Sequence, residues 1–411
     1  MIVDRLLDIR PLRASREFRR LWIGSSAALF GSQVTVVAAP FQLWQSTGSA
    51  LWVGAHGLVA GVAMVVFGLV GGTLADAMDR RRLVLVTGTV AAAASGSLVA
   101  QAVLGPGSPA VVLLLVGAQT AAVATGAAAR RTFVSRLLPR ELVTAGVALS
   151  HLGFQVALLG GPAVGGLMLA SAGLGGAYVL DAACTLLSLY GVARLPVMAP
   201  AAEAARPGLR AVVDGCRFVL RRPVLSGAMT SDAAAVVLSM PVALFPLVNA
   251  ERFGDDPRTL GLLHSAVGIG GIVAGLVSGV VARGSRPGAA MLGAAVVWGL
   301  ALAAFGLADG LAATMVCLAV AGAADTVSVI ARGGLVQLAT PGEYLGRVTA
   351  LETVVGAGGP GIGNARAGLV AALAGPSVAA VSGGLACALV IGAQALVNPS
   401  LRRWRTSDPA V

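Results

Sequence analysis

The chain has 411 residues, of which 57% are hydrophobic and 11% are charged, and its mean hydropathy is +0.87. Soluble globular domains carry roughly 25% charged residues, and disordered chains contain too little apolar surface to form a core. Both classes are therefore excluded. The 29 basic residues are all arginine and outnumber the 18 acidic residues. This composition predicts a protein that lies mostly in lipid.

Twelve apolar runs have the length that crosses a membrane, about 20 residues for a hydrocarbon core of roughly 30 Å. We expect each run to be helical, because a backbone exposed to lipid must satisfy its own hydrogen bonds. The predicted fold is therefore an all-α integral membrane protein with twelve transmembrane helices. In chain order these cover residues 21–44, 51–74, 84–104, 109–129, 144–170, 175–193, 224–249, 260–282, 288–307, 311–331, 348–373 and 377–397.

The arginines indicate the orientation of these spans. If both termini are cytoplasmic, 26 of the 29 arginines fall on the cytoplasmic side, as the positive-inside rule requires. We therefore predict a multi-pass protein of the cytoplasmic (inner) membrane with both termini in the cytoplasm. The basic charge is then a topology signal, so we expect the lipid bilayer as a partner and no nucleic acid.

The longest hydrophilic stretch between spans, residues 194–223, predicts a division into two halves of six helices each. Residues 1–193 form the N-terminal half and residues 224–411 the C-terminal half, and the stretch between them is a cytoplasmic linker with an amphipathic helix over 208–221. The pattern Arg-x8-Pro-x-Glu begins at Arg130 after span 4 and recurs at Arg332 after span 10. This recurrence indicates an internal duplication and pseudo-symmetric halves, which is how many secondary transporters are built.

Several motifs at consistent spacing point to one family. They are GGTLADAMDRRRLVL at 71–85, GFQVALLGGPAVGG at 153–166, LRASREFRRLWIG at 12–24 and YLGRVTALE at 344–352. In these motifs the chain resembles the major facilitator superfamily, and within it the branch of enterobactin exporters and macrolide efflux proteins. The resemblance implies a secondary transporter whose two halves rock around a central cavity.

The resemblance also implies gating residues. Asp76, Arg80 and Arg81 match a loop signature that latches the inner side closed, although these arginines could simply fix the topology. Gly161 and Pro162 match an antiporter-like signature of span 5 and would allow a bend or a seal there. The alternative is that glycine and proline are common in membrane spans.

Four carboxylates lie within or near the ends of the predicted spans and are candidates for proton coupling: Asp325, Asp232, Asp181 and Glu352. Charged groups inside a membrane usually mark ion or substrate pathways, and burial favours the protonated form of a carboxyl group. The resemblance places spans 7 and 10 at the cavity, so Asp325 and Asp232 are the preferred carriers. The alternative is a permanent hydrogen bond to a neighbouring helix.

Other polar residues in the spans suggest further sites. His56, His264 and Arg366 fall in the outer third of the membrane, where they would form an outer gate or satisfied contacts between helices. The residues expected to face substrate are Gln33, Gln119, Gln155 and Asn364.

The predicted function is export of a hydrophobic or amphipathic small molecule, such as a drug, a macrolide or a siderophore-like metabolite, by proton antiport and alternating access. A proton-coupled importer or facilitator on the same fold is the first alternative, and a non-transporting membrane receptor is the second. No arrangement of nucleophile, base and oxyanion donors is present in the sequence. We therefore expect no enzymatic activity, no cofactor, no metal site and a monomeric transporter.

Overall fold

The computed structural model describes residues 8–105, 107–198, 209–279 and 284–408, with the side chains of Asp76 and of residues 209–212 excepted. The described residues are almost entirely helical. The helices are α1 (Arg10–Ala14), α2 (Arg16–Thr47), α3 (Ala50–Ala77), α4 (Arg80–Leu104), α5 (Pro109–Arg131), α6 (Phe133–Leu137), α7 (Arg140–Ala193), α8 (Leu209–Leu220), α9 (Pro223–Ser239), α10 (Phe245–Phe253), α11 (Pro257–Leu276), α12 (Pro287–Leu307), α13 (Leu311–Ala339), α14 (Gly342–Ala374), α15 (Pro376–Val397) and α16 (Pro399–Arg403).

The fold class predicted from the sequence is confirmed. Ten helical stretches of the described residues are long and apolar enough to cross a membrane. One of them, α7, has 54 residues and contains both predicted spans 5 and 6, with the non-helical residue Gly173 (φ 65°) between them. Predicted span 11 lies within α14, so each of the twelve predicted spans falls on described helix for most of its length.

The chain forms two compact units. Residues 1–46 and 63–206 make up the first unit, and residues 47–62 and 207–411 make up the second. Helix α3 is therefore shared, and the part of it before residue 63 packs with the second unit. Within that unit, a Cβ on Gly61 would lie 2.8 Å from the Cα of Gly361, and a Cβ on Gly54 would lie 3.1 Å from the Cα of Gly368. Glycines on both helices let the two backbones approach this closely.

Predicted span 7 is not one helix. Helix α9 ends at Ser239, Met240 is extended, and a single turn of 3-10 helix (Val242–Leu244) leads into α10. The cause is Pro241, which has no backbone N–H and disfavours a helical conformation in the residue before it. The span predicted over 224–249 is present as the apolar stretch Pro223–Phe253, which is interrupted at Met240, and backbone groups at the break need partners from other helices.

The amphipathic helix expected between the halves is present as α8. Its Phe218 ring stacks on Tyr344 of α14 with the ring centroids 4.1 Å apart. On the other side of the helix, Val213, Arg217 and Leu220 are exposed.

Candidate functional site

The strongest candidate site of the second unit is an arginine between two carboxylates. Arg332 of α13 forms ion pairs with Asp232 of α9 and with Glu352 of α14, the latter at 3.1 Å between Nε and Oε1. The side chains of Arg332 and Asp232 are only 10% and 9% exposed, whereas that of Glu352 is 24% exposed. The second oxygen of Asp232, Oδ2, is buried and has no hydrogen-bond partner among the described residues. The site thus joins three helices that are distant in sequence.

Arg332 lies inside α13, whereas its place directly after the apolar run 311–331 predicts a position between two spans. Helix α13 continues for seven residues beyond it, to Ala339, and stops only before Pro341, which cannot continue the helix. An arginine inside an apolar helix needs a counter-charge. Two of the predicted proton-coupling residues, Asp232 and Glu352, supply it.

Asp325 lies seven residues before Arg332 on α13, on the same face of the helix and about 10 Å further along its axis. Its side chain is exposed and makes no ion pair or hydrogen bond with the described residues. The structure therefore does not bring Asp325 into contact with the Arg332 site, and its role as a proton carrier stays a prediction.

Asn364 and Arg366, two predicted site residues of span 11, form hydrogen bonds with the backbone at the break in span 7. The Asn364 Oδ1 atom accepts a hydrogen bond of 2.9 Å from the Ala243 backbone N–H, and Arg366 Nη1 donates one of 2.5 Å to the Leu238 carbonyl. In a continuous helix both backbone groups would be paired within the helix. Asn364 and Arg366 thus supply partners for backbone groups that the break at Pro241 leaves unpaired. Their predicted roles in substrate binding and gating stay predictions.

The first unit holds a buried polar network around Asp181, which is fully buried. Its Oδ2 atom accepts hydrogen bonds from Ser95 at 2.8 Å and from the Gln119 amide at 2.7 Å. These three side chains come from α7, α4 and α5. The network places Gln119, a predicted substrate ligand, beside Asp181, and the roles predicted for both residues stay predictions.

The loop between α3 and α4 makes its described contacts within the first unit. The Asp79 carboxylate accepts from the backbone N–H groups of Arg82 at 2.7 Å and Met198 at 2.6 Å, and so caps α4. Arg80 donates to the Ala75 carbonyl and Arg81 to the Ala193 carbonyl. The side chain of Asp76 is not among those that the structure describes, so the predicted latch stays a prediction.

Of the remaining predicted residues in the first unit, Gln33 lies on α2, and Gln155, Gly161 and Pro162 lie on α7. A Cβ on Gly161 would lie 2.5 Å from the Cβ of Gln33, so this glycine allows α7 to pack closely on α2. Pro162 lies inside α7. Gln33 and Gln155 are half-buried and make no hydrogen bond to the described residues.

The predicted gating histidines, His56 and His264, are not among the residues that pair with Arg332. The His264 ring packs edge-on against Phe245 with centroids 4.8 Å apart, and its Nε2 atom is buried and has no partner among the described residues. His56 is half-buried on α3. The described residues contain no group of three or more His, Cys, Asp or Glu side chains placed to bind a metal ion.

The fold is shared with solved transporter structures. Nucleoside transporter NupG (D323A mutant) has a TM-score of 0.76 at 14% identity, with 94% of this chain and 98% of that chain covered. A POT family transporter in complex with 5-aminolevulinic acid has a TM-score of 0.75 at 11% identity, with 95% and 97% covered. This likeness shows a shared fold, which is that of multi-pass membrane transporters.

The family follows from the sequence comparison. The family model described as transmembrane secretion effector matches residues 8–410, and the chain therefore belongs to this family. The enterobactin exporter of Shigella flexneri is 30% identical over 407 residues, which are 99% of this chain and 97% of that protein. The enterobactin exporter of Escherichia coli O157:H7 is 28% identical over the same shares of both chains.

Proposed function

We propose that this protein exports a hydrophobic or amphipathic small molecule by proton antiport and alternating access. The observation that carries the proposal is the placement of Arg332 between Asp232 and Glu352. The relatives named enterobactin exporters support a siderophore-like molecule as the cargo.

The charges of the site favour the binding of a single proton. With both carboxylates ionised, the three side chains carry one net negative charge, which is unfavourable in a poorly hydrated environment. One added proton makes the site neutral. Because the charged state and the neutral state differ by one proton only, the site can take up a proton on one side of the membrane and release it on the other.

Asp232 is the carrier in this proposal. Its Oδ2 atom is buried without a partner among the described residues, while Oδ1 faces Arg332. A proton on Oδ2 removes the ionic attraction between Asp232 and Arg332, and Glu352 then remains as the counter-ion of the arginine. Protonation would thereby loosen α9 from α13 while α13 and α14 stay joined, which couples the proton to a movement of helices.

Transport by proteoliposomes tests the proposal. The cargo panel is enterobactin, erythromycin and ethidium, and both cargo and proton movement are recorded under an imposed pH gradient. Wild type is compared with Asp232→Asn and with Asp309→Asn, which is the same substitution at an exposed position outside the spans. We expect protons to move opposite to cargo in wild type and in Asp309→Asn, and coupling to be lost in Asp232→Asn.

Two results would overturn the proposal. Protons moving in the same direction as cargo would identify a symporter. Cargo movement that does not depend on the pH gradient would identify a facilitator.

A further inference from the structure

The first unit contains a buried carboxyl group that has no counter-charge among the described residues. Asp181 is fully buried and forms no ion pair with any of them. Its Oδ2 atom accepts hydrogen bonds from Ser95 and Gln119, whereas its Oδ1 atom is buried and has no hydrogen-bond partner in the described part of the chain. Buried charges in proteins are paired or coordinate a metal ion, and a buried polar atom without a partner needs an explanation.

Arginine side chains are too far along these helices to supply the positive charge. Helices α2, α4, α5 and α7 contribute the residues around the carboxyl group, and the chain contains no lysine. The shortest separation on any of these helices is the eleven residues from Gln119 to Arg130, or about 16 Å along the axis. An arginine side chain does not span that distance. A small cation is therefore the partner that this carboxylate can take.

A second buried oxygen atom without a partner lies next to the carboxyl group. A Cβ on Gly31 of α2 would lie 3.0 Å from Asp181 Oδ1, so α2 and α7 pack closely at this point. Thr35 is one turn further along α2 and is 4% exposed. Its hydroxyl lies beside the Asp181 carboxyl group, yet its Oγ1 atom makes no hydrogen bond with the described residues. Two unpartnered oxygen atoms thus meet at one contact between helices.

The side chains at this contact offer five oxygen atoms to a cation. They are the two carboxylate oxygens of Asp181, the hydroxyl oxygens of Thr35 and Ser95, and the amide oxygen of Gln119. The Gln119 amide presents its oxygen in place of its nitrogen after a half-turn about its last side-chain bond. Hard cations prefer such oxygen ligands. Because the site has one carboxylate, a monovalent ion makes it neutral and a divalent ion would leave a buried charge.

We infer that Asp181 and the three polar side chains around it bind a sodium ion within the first unit. The site is separate from Asp232, which lies in the second unit, so the inference does not rest on the proposed function. A proton on Oδ1 would also neutralise the carboxylate, but it needs a single acceptor and leaves the other converging oxygen atoms without a role. The test therefore separates sodium from a proton.

The test is equilibrium binding of radioactive sodium ions to the purified full-length protein in dodecyl maltoside micelles, with choline chloride holding the ionic strength constant. We expect saturable binding by wild type and none by Asp181→Asn, which removes the negative charge of the site. Thr35→Val should bind sodium at least about tenfold more weakly, the factor that a contact with a charged group is worth. Thr35→Ser keeps the hydroxyl and should bind as wild type does.

Thr314→Val is the matched control. Thr314 is also fully buried, and its Oγ1 atom also has no partner among the described residues, but it lies in the second unit. It should bind sodium as wild type does. Thermal melting without sodium checks that the variants are folded, and both valine variants should melt no lower than wild type, because neither hydroxyl has a hydrogen bond to lose. Added sodium should raise the melting temperature of wild type and of Thr314→Val, but not that of Asp181→Asn.

Three results would overturn the inference. Wild type that binds no sodium would assign a proton to the carboxyl group. Sodium binding that survives in Asp181→Asn would place the ion elsewhere, and equal sodium affinities of Thr35→Val and Thr314→Val would exclude Thr35 as a ligand. Proton antiport is measured separately and through Asp232, so the failure of either proposal leaves the other intact.

Discussion

Replacing Arg332 with glutamine removes the positive charge of the ionic site. The Arg332 side chain is 10% exposed and faces two carboxylates, so Arg332→Gln leaves both without a counter-charge. Removing one partner of a buried ion pair typically costs about 3–5 kcal/mol of folding free energy. We expect a loss of this size at neutral pH, measured by titrating the purified protein in dodecyl maltoside micelles with sodium dodecyl sulfate.

Two further measurements make this prediction specific to charge. The double variant Arg332→Gln/Asp232→Asn should recover much of the loss, because it removes one of the two unpaired carboxylates. The loss in Arg332→Gln should also shrink as the pH falls, because protons then neutralise the carboxylates. A loss below about 1 kcal/mol, the upper range of exposed ion pairs, would refute this reasoning, as would strict additivity of the two substitutions.

Two predictions concern packing and the buried polar network. Gly57→Ala should destabilise the protein by about 1–3 kcal/mol, because the new Cβ would lie 2.4 Å from the Cβ of Asn364, whereas Gly68→Ala on the same helix meets nothing within 4 Å and should be neutral or mildly stabilising. An equal effect of the two alanines in the same detergent titration would contradict the close packing of α3 on α14. Gln119→Leu should lower the free energy of unfolding by about 1–3 kcal/mol, because Asp181 loses the hydrogen-bond donor at 2.7 Å. An unchanged free energy of unfolding would show that this bond contributes nothing.

Most of the fold could be predicted from the sequence because membrane spans are set by local composition. Apolar runs of the required length are visible residue by residue, and each predicted span lies on helix for most of its length. The break in span 7 was missed although its signal was present, since Pro241 and Pro246 both interrupt the apolar run 224–249. A hydropathy profile measures the polarity of side chains and does not show that a proline lacks the backbone N–H.

The candidate site could be predicted only in part. Asp232 and Glu352 stand out as carboxylates in apolar surroundings. The sequence places Arg332 in an inner loop, because arginines near span ends usually mark topology. Its role depends on contacts among α9, α13 and α14, which no local pattern encodes. The same limit applies to Gln119, whose amide is turned towards Asp181 by the packing of three helices.

The central claim is that Asp232 carries the proton that is exchanged for cargo, and proton release on cargo binding tests it most directly. Purified protein in weakly buffered detergent solution is mixed with enterobactin at fixed pH, and the released protons are followed with a pH indicator. Wild type and Asp309→Asn should each release a proton when cargo binds, and Asp232→Asn should bind cargo and release none. Cargo binding with the same proton release from Asp232→Asn as from wild type would contradict the claim.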